Sequence, residues 1–260
     1  MTIAQDLMLV SVLARMLEGR KHLLIGTNSP APASAALLAR ELSGGRTRVT
    51  IIGSAKYSYL TDDFSEVFDS AARGVYDGFF IGGGQIDGQA NINLVGVGEY
   101  PDLKVRWPGS HGTPLLYMMI PNVIILLRQE HTKRALVPKV DFISTPGVSE
   151  PGVFRPGGPI ALVTELCVFK FWRERGRFEL QSVHPGVTVE QVKERTGFDF
   201  DVAEQVVETP APRAEDLRLL RDRVCGEVAA LFPQFSAALA KEADRVLQTM
   251  DAGAKAPVTA

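Results

Sequence analysis

Short apolar runs alternate with longer stretches of helical periodicity along the first third of the chain. The apolar runs cover residues 22–26, 49–52 and 79–81. Runs of this length that are apolar throughout are typical of strands covered on both faces. The stretches between and before them open with helix-start residues, namely Thr2 with Gln5, Ser29 with Pro30, and Thr61 with Asp62 and Asp63. Helices that connect buried strands predict crossover units and a mostly parallel sheet flanked by helices.

The second half of the chain predicts further strands and then a helical end. Residues 122–127 and 140–144 are apolar enough for buried strands, and residues 160–184 predict a β-meander that turns at Gly176. Thr188 and Gln191 mark the start of a helix. Residues 214–250 predict amphipathic helices with a break near Pro233. The fold class is therefore α/β, with a single domain over residues 1–250 and a flexible tail over residues 251–260.

A glycine-rich stretch over residues 79–114 contains the densest set of candidate functional groups. After the triple glycine at residues 82–84, polar side chains occupy every second position at Gln85, Asp87, Gln89, Asn91 and Asn93. In an extended segment these side chains share one face. Asp87 followed by Gly88 is a tight-turn signal. The stretch therefore predicts a strand, a turn and a second strand with one polar face.

Several groups in this stretch are candidates for binding a substrate. Glycine lets a backbone approach a ligand, and asparagine side chains can orient a carboxylate or an amide. The candidate substrate-binding residues are Gly82, Gly83, Gly84, Gln85, Asn91, Asn93 and Arg106. The alternative for the asparagines is local hydrogen bonding in a turn, and the alternative for Arg106 is a surface ion pair.

Composition and charge narrow the functional classes. The chain has 260 residues, 45% apolar, with a formal net charge of -2. This balance argues against a nucleic-acid or membrane-surface partner, and no apolar run reaches the roughly 18 residues of a membrane span. Cys167 and Cys225 are isolated thiols, which favours a reduced, cytoplasmic setting. No group of His, Cys, Asp or Glu has metal-ligand spacing, so we expect no metal.

Four segments, in this order, resemble a known family. They are GGGQIDGQANIN, KVRWPGSHGTP, VDFISTPG and HPGVTVEQVKERTGFDF. Together they resemble the β subunits of family I coenzyme A transferases over residues 21–209. The resemblance implies a transferase-type α/β fold, an α subunit as partner in a heterodimer or α2β2 assembly, and a coenzyme A thioester as substrate. Coenzyme A would enter as part of the substrate, with no permanently bound cofactor.

The same resemblance implies roles for two loops. Gly109, Ser110, His111 and Gly112 match a loop whose backbone N–H groups form an oxyanion site against the thioester carbonyl, although relatives usually carry glycine where His111 stands. The apolar residues after this loop, 115–119, are expected to face the α subunit.

The transferase nucleophile, a glutamate of the β subunit, would follow the strand at residues 49–52, where this chain has Gly53 and Ser54. Ser54 lacks the sequence context of a serine nucleophile. The nearby acids Asp62, Asp63 and Glu66 are predicted to cap a helix.

Three functional hypotheses follow from the missing glutamate. The first is a β subunit of a hydrolase, similar to the branch that opens rings in steroid degradation, which cleaves a carbon–carbon bond in a cyclic-ketone coenzyme A thioester. The main carboxylate would then come from the α subunit. The second is a coenzyme A transferase subunit that acts on a dicarboxylic acid such as glutaconate. The third is a non-catalytic binding subunit.

Overall fold

The computed structural model of the protein describes residues 1–61 and 65–254. Its α-helices are α1 (Ile3–Met16), α2 (Pro30–Leu42), α3 (Ser65–Ala72), α4 (Thr113–Met119), α5 (Val189–Arg195), α6 (Ala214–Leu219), α7 (Cys225–Ala229) and α8 (Pro233–Ala254). Its strands are β1 (His22–Ile25), β2 (Arg48–Ile51), β3 (Gly78–Ile81), β4 (Gln85–Ile86), β5 (Ile92–Asn93), β6 (Gly96–Val97), β7 (Val105–Arg106), β8 (Asn122–Leu126), β9 (Pro159–Val163), β10 (Cys167–Trp172), β11 (Arg177–Val183) and β12 (Asp201–Glu208). Contacts divide the chain into unit 1 (Met1–Ser58 with Pro210–Ala260) and unit 2 (Tyr59–Thr209).

Unit 1 contains a parallel strand pair and helices from both ends of the chain. β1 and β2 pair in parallel, with Leu23 opposite Val49 and Ile25 opposite Ile51. The predicted capping box of α1 is confirmed, because the Thr2 hydroxyl accepts from the Gln5 amide while the Gln5 side chain accepts from the Thr2 amide. These reciprocal bonds satisfy two N–H groups that the first helical turn leaves without partners.

The C-terminal helices of unit 1 agree with the predicted helical end. Proline lacks an N–H and is tolerated in the first turn of a helix. α8 accordingly begins at Pro233, where a break was expected. A π-helical turn (Leu220–Val224) separates α6 from α7. Residues 251–254 belong to α8, and residues 255–260 of the expected tail lie outside the described residues. The single domain over residues 1–250 stays a prediction.

In the described part of unit 2, the strands of the main sheet follow the order β12-β11-β10-β9-β8-β3, and β4 with β5 and β6 with β7 form two small separate sheets. β3, β8 and β9 are parallel neighbours, and β11 with β12 is parallel. The predicted meander is confirmed by the antiparallel pairs of β10 with β9 and β11. The core strand β8 has four buried residues out of five, as expected for a strand with both faces covered. The predicted α/β class with a mostly parallel sheet is confirmed.

One sequence prediction in unit 2 is wrong, and one strand was not predicted. Residues 140–144 were expected to form a strand, but they lie in a loop that offers the Asp141 carboxylate and the Ser144 hydroxyl to neighbouring backbone groups. β12 was not expected, because its residues lie at the sheet edge and carry acids at Asp201, Glu204 and Glu208. Pairing with β11 makes this segment a strand, and no apolar run in the sequence predicts it.

None of the helices in the described part of the chain is both long and apolar enough to cross a bilayer.

A buried histidine links the loop after β8 to the sheet of unit 2. The ring nitrogens of His131 lie 2.9 Å from the hydroxyls of Thr164 and Thr196, so both are satisfied by neutral partners. Burial lowers the pKa of His131 to about 4, with a further contribution from the positive charge of Arg195. The native state therefore holds this imidazole in its neutral form at physiological pH.

We predict that His131 makes unit 2 sensitive to mild acid. A histidine in the unfolded chain titrates near 6.5, so between about pH 6.5 and pH 4 the unfolded state binds a proton that the native state does not. Stability is therefore lost as the pH falls through this window, by about 2 kcal/mol between pH 7 and pH 5. In His131→Gln this loss should be smaller by the same amount, measured by urea unfolding at both pH values. Equal pH slopes for the two proteins would contradict the assignment.

Candidate functional site

The polar residues of the glycine-rich stretch form an internal network in unit 2. β4 and β5 pair antiparallel, with Gln85 opposite Asn93, which confirms the predicted hairpin. Both side chains are buried, and the Asn93 amide donates to Gln85 Oε1 over 2.7 Å. Gln85 Nε2 in turn donates to Asp141 Oδ2 over 3.1 Å. We call Gln85, Asp87, Asn91, Asn93 and Asp141 the hairpin network.

Asn93 binds several backbone groups of the chain that follows it. Its Oδ1 accepts from the amides of Val95 and Gly96 at 2.9 and 3.3 Å, and its Nδ2 donates to Gly96 O over 2.7 Å. The side chain is 0% exposed. Because a buried donor or acceptor without a partner is costly, Asn93 fixes the path of the chain that leaves the hairpin.

The loop of the hairpin is longer than the predicted tight turn. Asp87 Oδ1 accepts from the amides of Gln89 and Asn91, and Asp87 Oδ2 accepts from the Asn91 side chain over 3.1 Å. The left-handed residue is Ala90, at φ +60°, whereas Gly88 is not left-handed. A Cβ at Gly88 would lie 3.2 Å from Phe198 Cβ, so this glycine serves close packing.

These contacts bear directly on the predicted binding residues. Asn91 Oδ1 also accepts from the Gly147 amide over 3.0 Å. The amide groups of Gln85, Asn91 and Asn93 are therefore engaged with the protein itself, as in the alternative of local hydrogen bonding. Their substrate-binding role stays a prediction. The sequence reasoning missed Asp141, whose only signal was a lone acid within an apolar run.

The triple glycine packs beneath two side chains. A Cβ at Gly83 would lie 2.3 Å from Ile92 Cγ2, and a Cβ at Gly84 would lie 2.1 Å from the Trp107 ring. The carbonyls of both glycines accept from Gln129 Nε2 at 3.1 and 3.2 Å. Close packing therefore explains these two glycines. Gly82 is exposed, so a ligand can approach its backbone.

Backbone hydrogen bonds attach the loop of residues 109–112 to the segment that follows the hairpin. The Gly109 amide donates to Leu94 O over 3.0 Å, and the Trp107 amide donates to Val95 O over 2.9 Å. The Thr113 amide and hydroxyl both donate to Ser110 O. Two residues adopt left-handed conformations, Gly109 at φ +98° and His111 at φ +47°. The loop thus has a defined shape set by contacts within unit 2.

The hydrogen bonds of this loop show which of its backbone N–H groups are available to an oxyanion. The Gly109 N–H is engaged, so its use would require a rearrangement of the loop. In the described part of the chain, no acceptor pairs with the N–H groups of Ser110 and Gly112. His111 is exposed, and its ring lies 6.4 Å from the Phe68 ring. Ser110 and Gly112 are therefore the backbone donors that fit an oxyanion role best.

Other predicted site residues lie apart from this arrangement. Arg106 is exposed on β7, and the structure does not bring it into the hairpin network. On α4, Leu116 and Tyr117 are buried, at 4% and 0% exposure, and the Tyr117 hydroxyl donates to Ala90 O over 2.9 Å. The expectation that all of residues 115–119 face a partner is therefore wrong for these two, because they pack in the core of unit 2.

The end of β2 in unit 1 holds the position where a nucleophile was sought. Gly53 is exposed at φ +86°, and apart from residues 52–54 no atom of the described chain lies within 4 Å of the position of a Cβ added there. Ser54 is buried, and its hydroxyl accepts from the Tyr57 amide over 3.0 Å. Ser54 thus closes a turn, which argues against the alternative of a serine nucleophile.

The structure describes one of the three acids that follow this position in the chain. Glu66 Oε2 accepts from both the amide and the hydroxyl of Thr61 at 2.7 Å, which agrees with its predicted capping role. Asp62 and Asp63 lie outside the described residues. Within residues 1–61 and 65–254, no cluster of His, Cys, Asp and Glu could hold a metal ion. The expectation of no metal stays a prediction.

Comparisons with known proteins agree on one family. The profile of the coenzyme A transferase family matches residues 9–195. A subunit of the 3-oxoadipate coenzyme A-transferase of Pseudomonas knackmussii is 42% identical over 148 residues, or 55% of this chain and 56% of the relative. A subunit of the cholesterol ring-cleaving hydrolase of Rhodococcus jostii is 30% identical over 163 residues, or 61% of this chain and 63% of the relative.

Both of these matches span less than two thirds of the relative. The solved structure of the glutaconate coenzyme A-transferase of Acidaminococcus fermentans superposes with a TM-score of 0.73 over 84% of this chain and 93% of that chain. At 24% identity this is a likeness of fold.

We predict that Asn93→Ala destabilises the protein by about 2–5 kcal/mol, because it leaves several buried polar groups without partners. Arg106→Ala, the matched control on an exposed strand, should change stability by less than about 0.5 kcal/mol. Urea unfolding of both variants measures the difference. If Asn93→Ala costs no more than Arg106→Ala, the network does not hold the hairpin.

A second prediction concerns Gly112, where a Cβ would lie 1.8 Å from Phe68 Cζ. Gly112→Ala should therefore destabilise the protein by about 1–3 kcal/mol through overpacking. In a Phe68→Ala background, the same substitution should cost clearly less, because the ring is gone. A double-mutant cycle by thermal unfolding measures the coupling. Strict additivity would show that this contact is not the reason for the glycine.

Proposed function

The chain belongs to the coenzyme A transferase family, and from this premise we propose that it is the β-type subunit of a heteromeric enzyme acting on a coenzyme A thioester. In this proposal an α subunit completes the active site, in a heterodimer or an α2β2 assembly. Coenzyme A enters as part of the substrate, with no resident cofactor. We assign the complex to the cytoplasm, because both cysteines are single, buried thiols.

Gly53 is the observation that carries the choice of reaction. A transferase of this family needs a glutamate to attack the thioester and form a covalent intermediate, and the resemblance puts that glutamate at Gly53. Glycine has no nucleophilic side chain, and Ser54 is engaged in its turn. We therefore favour a hydrolase that cleaves a carbon–carbon bond in a steroid-derived cyclic-ketone coenzyme A thioester. The similarity to the ring-cleaving hydrolase subunit supports this choice.

The proposed reaction divides its chemistry between the two subunits. A carboxylate of the α subunit removes a proton from water, and the resulting hydroxide adds to the ring ketone. Collapse of that adduct breaks the bond to the neighbouring carbon, and the electron pair passes to the thioester carbonyl as an enolate, which is then protonated. Amide donors such as those of Ser110 and Gly112 would stabilise the oxygen that becomes negative. In this proposal the imidazole of His111, which lies between these two residues in the chain, is a further candidate donor to the same oxygen.

One observation favours a transferase instead. The match to the 3-oxoadipate transferase subunit has the higher identity, 42% against 30% for the hydrolase subunit. In this alternative the chain acts on a dicarboxylic acid, with 3-oxoadipate or glutaconate as the type of substrate. The carboxylate nucleophile would then have to come from another position of the chain or from the partner.

We expect the purified complex to open the ring of a steroid-derived cyclic-ketone coenzyme A thioester with the gain of one water and with the thioester intact. Mass spectrometry of the product formed in ¹⁸O-labelled water detects the oxygen added on ring opening and shows whether the thioester bond is intact. Hydroxylamine added during turnover should leave Asp and Glu side chains of this chain unmodified, because no acyl intermediate forms on it. Full activity should also require the α subunit, so activity of this chain alone would contradict the heteromeric assignment.

The alternatives give different outcomes in the same assay. Transfer of coenzyme A to added succinate or acetate, with a modified carboxylate in this chain, would establish the transferase and end the hydrolase proposal. A Gly53→Glu variant provides a matched control, since a modification that appears only in the variant would identify this position as the one facing the thioester. No turnover of either kind would favour a binding subunit.

A further inference from the structure

A cavity in unit 2 is lined by none of the residues 109–112 and by no member of the hairpin network. Its volume is about 350 Å³, within the lower range of small-molecule sites. Two arginines, Arg155 and Arg173, line it together with Ser149 and the apolar side chains of Val148 and Val153. Neither arginine enters into the proposed reaction, so their presence in one cavity needs its own explanation.

Arg155 is held in a fixed orientation with part of its guanidinium unused. Nε donates to Gly157 O over 3.2 Å, and Nη1 donates to the Ser149 hydroxyl over 3.1 Å. The guanidinium carbon lies 5.5 Å from the centroid of the Tyr117 ring. Nη2 is buried and has no hydrogen-bond partner among the described residues. A buried N–H₂ of a charged group without an acceptor is costly, and a bound anion would remove this cost.

Arg173 brings a second positive charge to the same place. A Cβ built on Gly158 would lie 3.4 Å from Arg155 Nη2 and 3.5 Å from Arg173 Cδ, so the two side chains flank one glycine. Burial lowers the pKa of Arg155, and the positive charge of Arg173 lowers it further. Arg173 is exposed, so its side chain can change rotamer when a ligand enters the cavity.

The two arginines differ from their neighbours in their ion pairs. Arg175 and Arg177 both lie within 4 Å of the Asp201 carboxylate, and Arg175 also pairs with Glu179. In residues 1–61 and 65–254, no carboxylate lies within 4 Å of Arg155 or Arg173. Glu150 and Glu174 also line the cavity, but both are exposed and neither reaches the two guanidinium groups. Arg155 and Arg173 therefore bring positive charge to this cavity that no carboxylate in direct contact balances.

We propose that this cavity binds the carboxylate of a short-chain organic acid between Arg155 and Arg173. The planar guanidinium fork matches the two oxygens of a carboxylate, and Arg155 Nη2 is a donor without a partner in the described part of the chain. Val148 and Val153 provide an apolar surface for the carbon chain of the acid. The site is separate from the proposed thioester chemistry, and its ligand is a free acid.

Calorimetric titration of the full chain with butyrate tests the proposal, with butyramide as the neutral analogue of the same shape. Butyrate should bind saturably and butyramide should not, because the charge carries the interaction. Arg173→Gln, a substitution on the surface, should weaken butyrate binding by about tenfold or more. Arg155→Gln should abolish it, and Glu174→Gln should strengthen it by removing a nearby negative charge. Arg175→Gln is the matched control and should bind like the wild type.

Several outcomes would overturn the proposal. Equal binding of butyrate and butyramide would show that charge is irrelevant, and unchanged affinity in Arg173→Gln would show that the second arginine is not involved. If Arg155→Gln does not fold, Arg173→Gln alone decides. The full chain is also titrated with inorganic phosphate at matched ionic strength. Tighter binding of phosphate than of butyrate would overturn the proposed carboxylate ligand and identify the cavity as a phosphate site. None of these readouts depends on enzyme activity.

Discussion

The burial of amide and carboxylate side chains inside one hairpin is the constraint on which the candidate site depends. A polar group that leaves water must regain its hydrogen bonds within the protein. Gln85, Asp87, Asn91 and Asn93 regain theirs from backbone amides and from one another. The bonds to the backbone amides of Asn91, Val95 and Gly147 fix stretches of chain that have no regular secondary structure of their own. The irregular segments of unit 2 are therefore ordered by side chains that were first considered as ligands for a substrate.

The hairpin also holds the loop of residues 109–112 in its conformation. It is attached to the chain just after Asn93, through the bond from the Gly109 amide to Leu94 O. A loop held in this way can keep amide donors pointed at a reacting oxygen without reorganising at the moment of reaction, which is the physical basis of oxyanion stabilisation. The loop offers no carboxylate, and the end of β2 offers an open position at Gly53 but no nucleophile. In the proposed reaction the chain therefore stabilises a negative oxygen and needs a partner to supply the base.

The sequence by itself determined the elements whose signals are local. Apolar runs located β1, β2, β3 and β8 to within one or two residues, and capping residues located α1 and α5, because burial and capping act over a few neighbouring positions. The ordered segments of the family pattern also identified the fold class. The sequence could not locate β12, which is an acidic edge strand, or show that residues 140–144 form a loop.

Only the tertiary structure decided which polar groups already have hydrogen-bond partners within the protein. The same alternation of Gln85, Asp87, Asn91 and Asn93 suits a surface that faces a ligand and a network that faces the protein. The difference lies in Asp141 and Gly147, each 56 residues away along the chain from the side chain that it contacts. Hydrogen bonds between residues so distant in sequence leave no periodic signal. The Arg155 and Arg173 cavity was invisible for the same reason, since its charges meet only after the sheet has formed.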